Sequence, residues 1–146
     1  MKISGDQPPI LVSSCLAGIP CRYDGKANTI PAIRELVQRG GAIPVCAEVL
    51  GGLSTPRTPA EIKDGRVITR DGVDVTDAFR DGAREVLDIA LASGATTAIL
   101  KSRSPSCGVG QVYSGDFDRT LVDGDGITAT LLKENGIDVV SSDNYK

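Results

Sequence analysis

Four short apolar runs, each stopped by turn residues, decide what this chain can fold into. They are Ile10-Leu-Val12, Ala42-Ile-Pro-Val45, Thr97-Ala-Ile-Leu100 and Ile137-Asp-Val-Val140. Runs of that length, bounded in that way, read as strands buried on both faces of a parallel sheet. Helical patterns lie between them. Pro31 to Gln38 carries Pro at a first-turn position and stops at Gly40-Gly41. Thr76 stands as the N-cap of a longer helix. In it Phe79, Ala83, Val86, Leu87, Ala90 and Leu91 recur at helical spacing, with Gly94 past the end. Gly126 to Glu134, closed by Asn135-Gly136, reads as a third helix. The segment Glu61 to Val75 alternates and carries Asp64-Gly65 and Asp71-Gly72, so it reads as a small β excursion with tight turns. Strands alternating with helices predict an α/β domain, Rossmann-like, with a mostly parallel sheet flanked by helices. At 146 residues, with no linker or repeat, residues 1–146 read as a single domain.

The residues that are absent restrict the chemistry. The chain has no His and no Trp, and only three Tyr and two Phe, so the core is aliphatic. Without His there is no Ser-His-Asp or Cys-His nucleophile, no HExxH zinc site and no Rieske-type cluster. A formal charge of −3 offers no case for duplex nucleic acid, which needs a basic patch or stripe. No window approaches the 18 or so apolar residues of a membrane span. Met1 to Gln7 has one Lys and no apolar stretch, so it does not read as a signal peptide. The expected location is cytoplasmic, where the four thiols stay reduced.

Three of those thiols fall directly after predicted strands. Cys15 follows the first, Cys46 the second and Cys107 the third. Open parallel sheets bind ligands beyond the carboxyl ends of their strands, so three distant thiols converge on one edge. No Cys-x-x-Cys occurs, which excludes zinc ribbons and the common ferredoxin spacings. The stretch Cys15 to Arg22 misses a Cys-x5-Arg phosphate loop by one residue. Two sites remain: zinc on three Cys with one open position, or a cubane iron–sulfur cluster on three Cys with one iron free to act as a Lewis acid. Spacing does not choose between them. Cys21 is either a fourth ligand or a small buried spectator, the latter being the commoner state of a free Cys.

Glu48 lies two residues beyond Cys46, and in an extended exit from the strand it shares that residue's face. A carboxylate beside thiolates and apolar surface is expected to have a raised pKa, and without His it is the natural acid/base. Asp24, in Tyr23-Asp-Gly25, is either a turn residue or a site residue. Ser104 and Ser106 flank Pro105 just before Cys107, where they cap a turn or hydrogen-bond to cluster sulfur or substrate. Arg57, in the stiff loop Pro56-Arg-Thr-Pro59, and Lys101 bind an anionic or carbonyl group or else face water.

Five ordered motifs carry a resemblance. Cys15-Leu-Ala-Gly18, Cys21-Arg-Tyr-Asp-Gly25, Cys46-Ala-Glu48, Gly51-Gly-Leu53 with Pro56-Arg57 and Pro59-Ala-Glu61, and Ser104-Pro-Ser-Cys-Gly108 resemble the thiouracil desulfurase family. Its domain was long catalogued as one of unknown function. The likeness runs from Ser14 to Ser142, to the short form without the extra domain of longer members. It implies a cytoplasmic enzyme with an oxygen-sensitive 4Fe–4S cluster on Cys15, Cys46 and Cys107, with Cys21 not a ligand. It implies non-redox, hydrolytic removal of sulfur from a thiolated uracil-type base such as 2-thiouracil. In that scheme the iron lacking a Cys ligand takes the substrate's sulfur, and sulfide is released. Glu48 is then the general base, Asp24 or Ser104 helps with proton movement and orients the ring, and Arg57, Lys101 and Ser106 are the expected substrate-binding residues. Cluster-assembly machinery is an implied partner. Two positions depart from the family pattern: Ala47 replaces the Pro of Cys-Pro-Glu, and Ala17 replaces the second Leu after the first Cys. Both are non-ligating positions and bear on loop geometry and substrate preference. The competing readings are a zinc- or cluster-bearing structural or regulatory α/β module, a metal-free small-molecule binder, and a desulfurase of another thiolated nucleoside.

Overall fold

A computed structural model describes residues 8–145. The segment Met1 to Gln7, read above as lacking signal-peptide character, lies outside the described residues. The elements in chain order are β1 (Ile10–Ser13), α1 (Pro31–Gln38), β2 (Ala42–Val45), α2 (Ala47–Leu50), β3 (Ala60–Lys63), β4 (Arg66–Thr69), α3 (Thr76–Ser93), β5 (Thr97–Leu100), β6 (Gln111–Tyr113), β7 (Leu121–Asp123), α4 (Ile127–Glu134) and β8 (Asp138–Ser141). Short 3-10 turns follow β1 (Ser14–Ala17) and β8 (Ser142–Tyr145).

The main sheet is parallel, in the order β2-β1-β5-β8. Both its faces are covered, and the pleat sorts neighbouring residues between them. Leu11, Val45, Ala98 and Leu100 pack with Val86 and Ala90 of α3 and Ala129 and Leu132 of α4. Val12, Ala42 and Ile99 pack on the other side with Ile33 of α1 and with Cys15 and Leu16. The chain leaves β1 toward β2 on one side and returns to place β5 on the other. The topological switch point therefore lies between the carboxyl ends of β1 and β5, the position where open α/β sheets form their ligand crevice.

The four strands and three helices expected from the sequence are present. The last strand starts at Asp138, because Ile137 is buried and its N–H closes the end of α4 on Leu132 O. Two details of α3 differ. Thr76 is inside the helix: its Oγ1 accepts the Val67 N–H at 2.8 Å, and Asp74 Oδ1 accepts the Thr76 N–H at 2.9 Å. Leu91 is 63% exposed, since the buried stripe Phe79-Ala83-Val86-Ala90 leaves it about 100° further round. The excursion is the antiparallel hairpin β3–β4, turning at Asp64-Gly65. A second hairpin, β6–β7, and the single-turn helix α2 complete the roof over the sheet's carboxyl edge. No helix among the described residues is long and apolar enough to cross a membrane.

Candidate active site

The carboxyl ends of β1, β2 and β5 open into a cavity of about 390 Å3. That is within the size range of small-molecule sites. Cys15, on the 3-10 turn after β1, Cys46, directly after β2, and Cys107, on the loop after β5, all line it, and so does Cys21. All four thiols are free. Among the described residues, no three Cys, Asp or Glu side chains close on one point as the ligands of a single ion do.

Close backbone packing presents each thiol. Cys46 is the N-cap of α2. α2 is pressed onto α3 where two glycines meet: a Cβ on Gly82 would lie 1.8 Å from Ala47 O, and one on Gly51 2.0 Å from Ala78 O. Cys107 sits in a turn closed by Ser104 Oγ, which accepts the N–H of Ser106 at 3.0 Å and of Cys107 at 3.1 Å. That turn rests on the start of α4 at Gly126, where a Cβ would come within 2.4 Å of Ser106 O.

The thiols differ in acidity. Hydrogen bonding among them pushes the Cys21 thiol far up and pulls those of Cys15 and Cys46 down. Cys46 falls to about 6, by the Cys21 bond first and the Val49 N–H next among the lowering causes, against burial. Burial pushes Cys107 up to about 12. Thiolate is the form in which a cysteine ligates metal, and Cys15 and Cys46 lie nearer to it than Cys107.

A sequence model of the 2-thiouracil desulfurase family matches residues 10–144. The chain belongs to the 2-thiouracil desulfurase family. A Bacillus subtilis (strain 168) relative, named only as the uncharacterized protein YbbK, is 45% identical over 142 residues, covering 90% of this chain and 94% of the relative. The solved structure of the 4Fe–4S-dependent thiouracil desulfidase TudS superposes with a TM-score of 0.91 at 44% identity, covering 94% of this chain and 93% of that one.

Within this family member the residues singled out from sequence separate. Glu48 lines the cavity, but through the first turn of α2 rather than an extended strand exit. The Arg57 guanidinium meets it, with Nε 3.0 Å from Glu48 Oε1. Arg57 is thus engaged by protein groups rather than left facing water. It also donates to Cys21 O at 2.9 Å, Ser54 O at 3.0 Å and Thr55 Oγ1 at 3.1 Å, tying three segments together. Lys101 lines the cavity, with Nζ on Ser102 O at 3.1 Å, and burial pulls its pKa down. Ser106 is fully buried and its hydroxyl is bonded to Thr128 Oγ1 at 2.7 Å, so it anchors the Cys107 turn to α4. Asp24 is not on the cavity wall. It takes the Lys26 N–H at 3.1 Å within its turn and holds Arg22 Nη2 at 2.8 Å.

The sequence reading missed Arg22, Asn28 and the aromatic wall. Tyr23, Tyr113 and Phe117 line the cavity, three of the five aromatic residues in the chain. Phe117 has φ +55, rare for a bulky residue, and Arg70 stands 5.4 Å above its ring. Glu61 holds that conformation by accepting the Phe117 N–H at 3.1 Å and the Gly115 N–H at 2.9 Å. The scarcity of aromatic residues was the available signal: a chain with so few has reason to place them where a planar ligand lies.

Proposed function

We propose that this protein hydrolyses the C=S bond of a thiolated pyrimidine base, with a 4Fe–4S cluster held by Cys15, Cys46 and Cys107. The observation that carries the reading is the meeting of three strand-end thiols with Glu48 at one cavity on the switch point of the sheet. The donor set fits a cluster: three soft sulfurs spread over the wall suit a group with bulk of its own. A buried amide donor without a partner, Asn28 Nδ2, belongs to a residue lining the same cavity. Bound there, the cluster would supply a Lewis-acidic iron suited to a soft leaving sulfur.

The rest of the chemistry falls to the chain. The C=S carbon gains an oxygen from water and the sulfur leaves as sulfide, so no electrons are exchanged. Glu48 takes the proton of the attacking water as general base. Arg57, itself held by three other acceptors, keeps the Glu48 carboxylate turned to one place. Phe117 and Tyr113 give the base a flat wall, and the two hairpins that carry Glu61 and Phe117 cover it from bulk water. Cys21 stays protonated and unligated in this scheme. The thiols imply a reducing compartment, hence the cytoplasm.

One observation favours a second substrate. Arg22, Arg57, Arg70, Lys101, Arg103 and Arg119 border the cavity, against two carboxylates, Glu48 and Glu61. A wall so cationic in an acidic chain suits a base that carries a phosphate, a thiolated pyrimidine nucleotide. Oxygen-free purification, metal and sulfide analysis, and sulfide release from 2-thiouracil and from 2-thiouridine 5′-monophosphate test both readings. Iron and sulfide near four each per chain, with sulfide release, are expected. Zinc without sulfide overturns the proposal and favours the structural module.

A further inference from the structure

Asn28 lies between the 3-10 turn after β1 and helix α1, and nothing in the proposed reaction uses it. Its main chain is fastened to the first thiol residue, the Asn28 N–H donating to Cys15 O at 2.9 Å. Its Oδ1 accepts from Arg22 Nη1 at 2.8 Å, and Arg22 Nη2 is held by Asp24 Oδ2 at 2.8 Å. A guanidinium has only donors, so this bond settles which end of the amide is oxygen. Nδ2 is thereby turned away from Arg22. It is the one buried side-chain nitrogen or oxygen among the described residues with no hydrogen-bond partner. Buried donors without acceptors are rare in native structures, and each one calls for a reason. Cys15, whose carbonyl holds the Asn28 main chain, lines the same cavity as Asn28, and its sulfur is a weak acceptor as a thiol and a stronger one as a metal-bound thiolate.

We propose that Asn28 Nδ2 is a hydrogen-bond donor to the Cys15 sulfur of the bound cluster, held in that orientation by Arg22 and Asp24. The inference rests on the cluster reading above. It moves Asp24 from proton chemistry to a positioning role two bonds back from the sulfur. It also gives a physical reason for Cys21-Arg-Tyr-Asp-Gly25 as a unit. Arg22 reaches Asn28, Asp24 fixes Arg22, and Gly25, at φ +77, makes the turn that lets Asp24 fold back. A hydrogen bond to a ligand sulfur withdraws charge from it, so it raises the reduction potential of the cluster and steadies the thiolate.

The test is a reductive titration of the anaerobically reconstituted protein, followed by electron paramagnetic resonance. Iron and sulfide content are measured alongside. Asn28→Leu, which matches Asn in size and has no donor, is expected to keep its iron and sulfide and shift the midpoint potential to more negative values. Arg22→Met, which frees the amide to rotate, shifts it the same way by less. Asn28→Ser, which returns a small donor, recovers part of the shift. Asn28→Ala decides the question if the Leu variant does not fold. An unchanged or more positive midpoint in the donorless variants overturns the inference and leaves the cluster reading intact. A wild-type protein that takes up no cluster overturns both.

Discussion

The most demanding single residue is Glu48, because a chain without His has few groups able to move a proton at neutral pH. Its carboxylate is only 19% exposed and its Arg57 partner 8%, so the pair is largely withdrawn from water. Glu48→Gln preserves the acceptor for Arg57 and removes the base. It is expected to retain full iron and sulfide and to lose about 10²–10⁴-fold in kcat. Turnover within a few-fold of wild type would remove Glu48 from that role. Cys21 makes the opposite prediction. Hydrogen bonding with Cys15 and Cys46 pushes its thiol up and away from the ligating form, so Cys21→Ala is expected to keep four irons per chain by metal analysis. Loss of the cluster in that variant would mean a closed four-Cys site. At this scale the sequence revealed the thiols, because each follows an apolar run that had to be a strand. It hid the Glu48–Arg57 and Asn28–Arg22 contacts, which depend on how loops fold over one another and leave no periodic trace.

Among the elements, α2 and its contact with α3 matter most for the site. A single helical turn has no stability of its own, and this one exists because α3 presents Gly82 to the Ala47 carbonyl. Gly inside a helix costs about 1 kcal/mol against Ala, so the close approach it permits must outweigh that. Gly82→Ala is therefore expected to destabilise the fold by about 1–3 kcal/mol, despite the gain in propensity, because the new methyl meets backbone. Urea unfolding checks this, and a stabilised variant would sink the packing argument. The start of α3 gives a pH prediction. The bonds from Thr76 hold Asp74 at about 2, with Arg66 contributing further, against about 3.9 in an unfolded chain. A lowered carboxyl stabilises the fold above its unfolded value and stops doing so as pH falls through its folded one. The stability difference between wild type and Asp74→Ala is thus expected to be constant near neutrality and to shrink between about pH 4 and pH 2, as acid titration followed by circular dichroism would show. The strands and long helix were legible as apolar runs and a 3.6-residue stripe. The β6–β7 hairpin was not, because its strands are three residues long and half of their residues are exposed, leaving no apolar run.

Across the whole molecule, charge is distributed against the composition. Six of sixteen Lys and Arg border the cavity, but only two of nineteen Asp and Glu do. The net charge of −3 therefore conceals a cationic basin in an otherwise acidic surface. A sum over the sequence cannot reveal this, since these cations come from five loops between Arg22 and Arg119. Such a basin attracts anions over roughly a Debye length, about 10 Å at 0.1 M salt and 3 Å at 1 M. Two substrates with the same base then separate by their response to salt. For 2-thiouracil, neutral at working pH, kcat/KM is expected to change little between 0.05 and 0.5 M NaCl. For 2-thiouridine 5′-monophosphate it is expected to fall several-fold, the loss appearing in KM while kcat holds, because screening weakens capture and leaves Glu48 and its proton unaffected. Arg119→Gln and Arg70→Gln, at the rim, are expected to flatten that dependence. Equal salt responses for the two substrates would show that the cations serve the cluster and the fold, and that the natural substrate is a free base.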